Sequence, residues 1–239
     1  MYKPYYSDKW VTIYHGDCVD IMPLLPKCDL ILTSPPYEDI AGAGYTANRK
    51  DILFFKLYSE FIDTTFKGYV DLLKEGGQLF FNVKSKTHDS KIRTPHWIEF
   101  TEGFNKLDFK SYIIWKYAGS FDSTVKRLHL DYEIIYHLAK GDNIYLNPEG
   151  DDALTSVWYI PHTIKERLHP TQMPEKVAER IISLATRPDD LVTDTFGGVG
   201  TTAVVAKRLE RRCNMIEIEE KYCEIAANRC RQSVLNLNI

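Results

Sequence analysis

The sequence predicts an α/β fold with a doubly wound, mostly parallel sheet, and three observations carry that expectation. Short apolar runs alternate with segments of helical spacing along most of the chain. Several of those runs are apolar throughout, as in strands covered on both faces. A glycine-rich turn, TDTFGGVGTT, joins one such run directly to a helical segment, as in nucleotide-binding α/β sheets.

Each element follows from its residues. Residues 11–14 (VTIY) are β-branched and short, and His15-Gly16-Asp17 breaks them, so they read as a strand and a turn. Residues 20–25 suit a short helix closed by Pro26, and residues 29–32 (DLIL) suit a buried strand. Over residues 52–74 apolar side chains recur at Phe54, Leu57, Tyr58, Phe61, Ile62, Phe66, Tyr69, Val70 and Leu73. This is helical spacing, with Gly76-Gly77 as the expected stop. Residues 79–83 (LFFNV) form the next predicted strand, and residues 112–115 and 132–138 two more. Pro174 opens a helix with Val177, Ile181, Leu184 and Ala185 on one side, and Pro188 ends it. Residues 191–195 read as a strand, residues 201–209 as a helix, residues 214–218 as a strand and residues 219–231 as a last helix. No repeat or Gly/Ser linker interrupts the pattern, so residues 1–239 are read as a single domain.

Composition narrows the function classes. The chain of 239 residues is 44% hydrophobic, with a net charge of −3 and a pI of about 6.2. That balance is not the one of a typical basic nucleic-acid module, although a local basic face can act alone. Basic residues do cluster, at Arg49-Lys50, at Lys84, Lys86, Lys91 and Arg93, at Lys126-Arg127, and at Lys165 with Arg167. A solvated surface and a phosphate-contacting face are both open readings of them. No apolar run approaches the ~20 residues of a membrane span, and the first residues have no apolar core of a signal peptide. Five cysteines without a C-x-x-C pair suit a reducing, cytoplasmic compartment. The seven histidines show no metal-ligand spacing, so no metal is expected.

The turn from Asp194 through Phe196, Gly197, Gly198 and Gly200 to Thr201 departs from both the NTP phosphate loop and G-x-G-x-x-G. Glycine permits positive φ and close approach of a ligand, and the helix that follows offers free N–H groups. Glu217 closes the next predicted strand, 17 residues after Gly200. A carboxylate there can accept hydrogen bonds from ribose hydroxyls, which favours an adenosine-containing cofactor. Before these elements, residues 34–37 (SPPY) follow a predicted strand. Two prolines fix φ and remove backbone donors, so a carbonyl can be held toward a pocket.

These motifs, in this order, resemble those of the β-class amino DNA methyltransferases, in which the catalytic motif precedes the cofactor loop. Ser34-Pro35-Pro36-Tyr37 resembles the catalytic tetrapeptide, and His15-Gly16-Asp17, with Cys18, the turn that binds the adenine amino group. Residues 115–140 resemble the late hairpin, with Arg127 in its basic connection. His169-Pro170-Thr171 resembles the motif beside the methionine end of the cofactor, and Asp194 to Gly200 the Asp-Pro-Phe-x-Gly-Ser-Gly loop. Glu217 and Tyr222 fall in the Glu…Tyr element that follows. Thr195 stands for the family's usual proline, Val199 for its serine, and Met173 for a common lysine.

The resemblance implies a seven-stranded, Rossmann-like methyltransferase sheet with an antiparallel hairpin and a circularly permuted motif order. It implies S-adenosylmethionine as cofactor and DNA as substrate. An exocyclic base amine is a weak nucleophile, because its lone pair is delocalised into the ring. Ser34 Oγ and the Pro35 carbonyl are the expected acceptors on its N–H groups, and Tyr37 a face for a flipped base. No Pro-Cys occurs, which argues against transfer to ring carbon. Ser-Pro-Pro-Tyr accompanies mostly N4-cytosine methylation in the family, with N6-adenine as the alternative. Transfer to RNA or protein, or a non-catalytic subunit of the same fold, are less favoured by the motif order. Residues 141–168 are the expected target-recognition insertion, and residues 38–51 a lid or a surface loop. A homodimer or partner subunit, and a cognate restriction endonuclease, are left open as partners.

Overall fold

The computed structural model describes residues 3–35, 52–84, 86–88, 91–93, 98–99, 101–118, 129–149, 154–162, 168–169 and 172–232, with side chains excepted at 52–59, 86–88 and 91–93. In chain order the elements are β1 (Tyr6–Ser7), β2 (Val11–His15), α1 (Cys18–Ile21), β3 (Cys28–Thr33), α2 (Ile52–Leu72), β4 (Leu73–Val83), β5 (Lys86–His88) and β6 (Lys91–Arg93). There follow β7 (Asp108–Lys116), β8 (Tyr132–Ala139), β9 (Val157–Tyr159), α3 (Glu175–Ala185), β10 (Leu191–Asp194), α4 (Thr201–Arg208), β11 (Arg212–Glu217) and α5 (Glu220–Gln232).

One nine-stranded sheet runs β1-β2-β11-β10-β3-β4-β8-β7-β9, and β5 and β6 pair separately. The pairings β2–β11, β11–β10, β10–β3 and β3–β4 are parallel, and β8 turns antiparallel between β4 and β7. The seven predicted strands are thus joined by two short edge strands, β1 and β9. Both edges are brief, which limits exposed backbone donors and acceptors.

Successive strand residues alternate between two apolar layers. Leu30, Leu32 and Phe80 pack with α3, α4 and α5, through Val177, Ile181, Ala203 and Ala226. Ile31, Leu79 and Phe81 pack against α2, through Ile62, Phe66 and Tyr69. The helix predicted to reach Lys74 stops at Leu72, and Gly76-Gly77 lie inside β4. The reason is sheet pairing: Gly76 N donates to Lys140 O at 2.8 Å, and Lys140 N to Gly77 O at 2.9 Å. Those ladder bonds capture backbone that local propensity marked as a helix stop.

The first helix begins two residues before its predicted start, because Asp17 caps it, accepting from Val19 N at 2.8 Å. Pro174 is the N-cap of α3, and all four residues of its predicted apolar face are buried. The five cysteines are buried free thiols. No helix among the described residues is long and apolar enough to cross a membrane.

Candidate active site

Because β2, β11, β10, β3 and β4 are parallel, their carboxyl ends share one edge of the sheet. From β10 the chain crosses through α4 to β11 on one side; from β3 it crosses through α2 to β4 on the other. The strand order reverses between β10 and β3, and ligands of open α/β sheets bind at such a point. Ser34 follows β3 and the glycine turn follows β10, so the two predicted motifs meet there. Thr33 Oγ1 donates to Asp194 Oδ1 at 2.9 Å, which joins them directly.

On the β3 side, Ser34 is half-buried and Pro35 buried. Ser34 Oγ donates to Asn82 Oδ1 at 3.2 Å, and Asn82 Nδ2 to the Ile134 carbonyl at 3.4 Å. The carbonyl of β8 thus orients the Asn82 amide with its oxygen toward Ser34. Pro36 and Tyr37 lie outside the described residues, as do residues 38–51. Nearby, buried Glu133 faces Lys84 Nζ at 3.5 Å and accepts from Tyr117 at 3.4 Å. Lys84 of the predicted basic group is therefore ion-paired at the rim. The side chains of Lys86, Lys91 and Arg93 lie outside the described residues, as do Arg49, Lys50, Lys126, Arg127, Lys165 and Arg167.

On the β10 side, Asp194 lies beneath the turn, 5% exposed. It accepts from Thr33, from Thr202 Oγ1 at 2.6 Å and from Phe196 N at 3.1 Å. Burial outweighs these donors and pushes its carboxyl up to about 6. Asp194 shapes the turn from below rather than facing the cleft. Gly197 N donates to Ile216 O at 2.9 Å, and Phe196 packs edge-on against Phe61 of α2 at 5.9 Å. Gly200 has φ +78, and a Cβ there would lie 2.7 Å from the Ala226 side chain, so α5 and the left-handed backbone both require glycine. Gly198 is different: with φ +50, a Cβ there would meet nothing within 4 Å among the described residues. That open side is where a ligand can approach the backbone.

Glu217 closes β11, 8% exposed. Its Oε2 accepts from Gly198 N at 2.8 Å and its Oε1 from Glu219 N at 2.8 Å, while burial raises its pKa. Each oxygen keeps a lone pair for a further donor. Asp17 sits one strand over: Gly16 N donates to Glu217 O at 3.0 Å, and Asp17 itself is exposed. The Cys18 side chain turns into the core instead, its thiol pushed up to about 12 by burial. His169 packs edge-on against Tyr222 at 4.7 Å, which brings the first residue of the third predicted motif to the first turn of α5. Burial, then Lys221, lowers its pKa, so the ring is neutral at neutral pH. Pro170 and Thr171 lie outside the described residues.

Three features fit an adenosine-bearing cofactor here: the open face at Gly198, a buried Thr201 Oγ1 with no hydrogen-bond partner among the described residues, and Ile218, 60% exposed beside Glu217. An apolar side chain next to a carboxylate suits a flat ring attached to a diol. In the region expected to read the target, Trp158 is a core residue and Tyr159 is 75% exposed at the same edge of the sheet.

Asn82, Thr33, Tyr69 and Ile218 escaped the sequence reading. Asn82 had a signal, a lone amide within the apolar run LFFNV, since buried amides need partners. The others had none, because threonine, tyrosine and isoleucine are ordinary in strands and helices.

Comparison with known proteins shows the family and the fold. A DNA methylase family model (N6/N4 methyltransferases) matches residues 28–228. The type II methyltransferase M.BglII of Bacillus subtilis is 31% identical over 90% of this chain and 67% of its own length. The structure of PvuII DNA methyltransferase, described as cytosine-N4-specific, superposes with a TM-score of 0.80 at 20% identity, covering 99% of this chain and 90% of that one. That of M1.HpyAVI in complex with S-adenosylmethionine gives 0.65 at 26% identity, covering 92% and 99%. With both walls of the cleft and its motif order accounted for, the chain belongs to the N6/N4 DNA methylase family.

Proposed function

We propose that this protein methylates N4 of cytosine in DNA, with the base extruded from the helix into the cleft between Ser34 and the glycine turn. The protein is an S-adenosylmethionine-dependent DNA methyltransferase of the family that acts on exocyclic amines. The observation that carries the mechanism is the Ser34–Asn82 hydrogen bond at 3.2 Å. A hydroxyl has one proton and two lone pairs. With its proton spent on Asn82, Ser34 can meet a further donor only as an acceptor. Pro35 has no N–H, so its carbonyl is the only polar backbone group it offers.

Two acceptors on one amine draw its N–H groups into hydrogen bonds and turn its lone pair out of conjugation. The cofactor supplies an electrophilic methyl on its sulfonium. Glu217, Asp17 and the Gly198 backbone would hold the adenosine end, and the resemblance of its motif assigns His169 to the methionine end. Positioning then accounts for much of the rate, and no covalent enzyme intermediate is needed.

The choice of cytosine rests on Ser34, a neutral acceptor at the first position of the tetrapeptide, where adenine-specific relatives mostly carry Asp. Residues 141–168 are proposed as a short reader of the target, with exposed Tyr159 at its cleft end. The test is nucleoside analysis of DNA incubated with the protein and labelled S-adenosylmethionine. N4-methylcytosine is expected, and N6-methyladenine as the sole product would reverse the base assignment while leaving the class intact.

A further inference from the structure

The usual proline of the family's cofactor loop is Thr195 here, and the structure gives its hydroxyl a use. Thr195 Oγ1 is buried 3.2 Å from Thr33 Oγ1 and 2.8 Å from Tyr69 OH. Tyr69 is fully buried near the end of α2. With Asp194 ionised, counting protons along these contacts gives a single direction. Thr33 donates its proton to Asp194, so it must accept from Thr195. Thr195 has then spent its own proton and must accept from Tyr69. The order is Tyr69 to Thr195 to Thr33 to the Asp194 carboxylate, and aligned hydrogen bonds strengthen one another.

We propose that Tyr69 is a positioning residue of the methyl transfer, acting through Thr195 and Thr33 to set the distance between the Ser34 bend and the cofactor turn. It touches neither base nor cofactor. Its helix also meets the turn at Phe61, which packs on Phe196. The chain crosses the sheet at the switch point, and Thr33 is the residue before Ser34, while Thr195 is the residue before Phe196. A shift at any hydroxyl therefore changes the approach of the two reacting groups. A misplacement on the order of 1 Å can cost as much as 100-fold in rate.

The inference rests on the methyltransferase reading, so the wild-type protein must first transfer label to DNA; failure there would count against that reading. With that in hand, Tyr69→Phe, Thr195→Val, Thr195→Ser and the double variant Tyr69→Phe/Thr195→Val are compared in single turnover, with cofactor affinity and melting temperature measured on the same samples. Expected are rates about tenfold lower for Tyr69→Phe and Thr195→Val, with cofactor Kd within about twofold. Thr195→Ser, which keeps the hydroxyl, should restore most of the rate, and the double variant should be no slower than either single one. Rates within twofold of wild type, a Thr195→Ser as slow as Thr195→Val, losses that multiply in the double variant, or affinity falling in step with rate would each overturn it. If Tyr69→Phe does not fold, the Thr195→Ser and Thr195→Val pair decides alone.

Discussion

Replacing Asp194 by Asn probes the carboxylate on which the turn is built. Asp194 accepts from Thr33, Thr202 and the Phe196 N–H, yet burial raises its pKa from 3.8 to about 6. The folded state thus binds its proton more tightly than the unfolded chain does. Between about pH 4 and pH 6 the folded state carries more protons on this group, so its contribution to stability falls as pH rises. The contribution is fully present below the unfolded pKa and lost as pH passes the folded one. A rise from 3.8 to about 6 corresponds to about 3 kcal/mol. Asn has no such titration. It can accept from Thr33 and Phe196 through its oxygen, and Thr202 must rotate to accept from its amide. The mismatch costs on the order of 1–2 kcal/mol at every pH. The quantity to measure is the difference in urea unfolding free energy between wild type and Asp194→Asn, at intervals from pH 4 to pH 7.5. Other groups cancel in that difference, Glu217 excepted as the charged neighbour that adds to the rise. Wild type should lose roughly 2–2.5 kcal/mol relative to the variant across this range, the part of the full shift that lies above pH 4, and then level off. A difference that stays flat, or that grows in favour of wild type as pH rises, would mean that the three donors outweigh burial, and the reasoning would fail.

Two further outcomes follow from the site. Asn82→Leu should lower the single-turnover rate about 10- to 100-fold with cofactor affinity nearly kept, because Ser34 would lose its acceptor and could turn its own proton toward the base amine; a rate equal to wild type would remove Asn82 from the mechanism. Glu217→Gln places an NH2 group against one of two backbone N–H donors, at Gly198 or Glu219, and should weaken S-adenosylmethionine binding roughly 5- to 100-fold by calorimetry, from a loss of about 1–3 kcal/mol, whereas unchanged affinity would show that the carboxylate does not hold the cofactor turn.

The alternation of apolar runs and helical spacing, with glycines after one strand and prolines after another, was enough to lay out the sheet and to put the candidate residues at the ends of its parallel strands. This works because those signals are local: a buried strand needs a continuous apolar run, and Gly200 needs its φ of +78 whatever surrounds it. Ser34, Glu217 and the glycines were legible for that reason. What sequence could not supply was which side chains share a hydrogen bond across long separations. Thr33 and Asp194 are 161 positions apart, and Tyr69 and Thr195 are 126 apart. Pairing of β3 with β10 and packing of α2 on the sheet make them neighbours. The same cause moved one assignment: Gly76-Gly77 joined β4 through the Lys140 ladder. Local chemistry determined which groups stand at the edge of the sheet; only the folded arrangement decided where each hydroxyl proton points, since a donor is fixed by the acceptor that the rest of the chain brings to it.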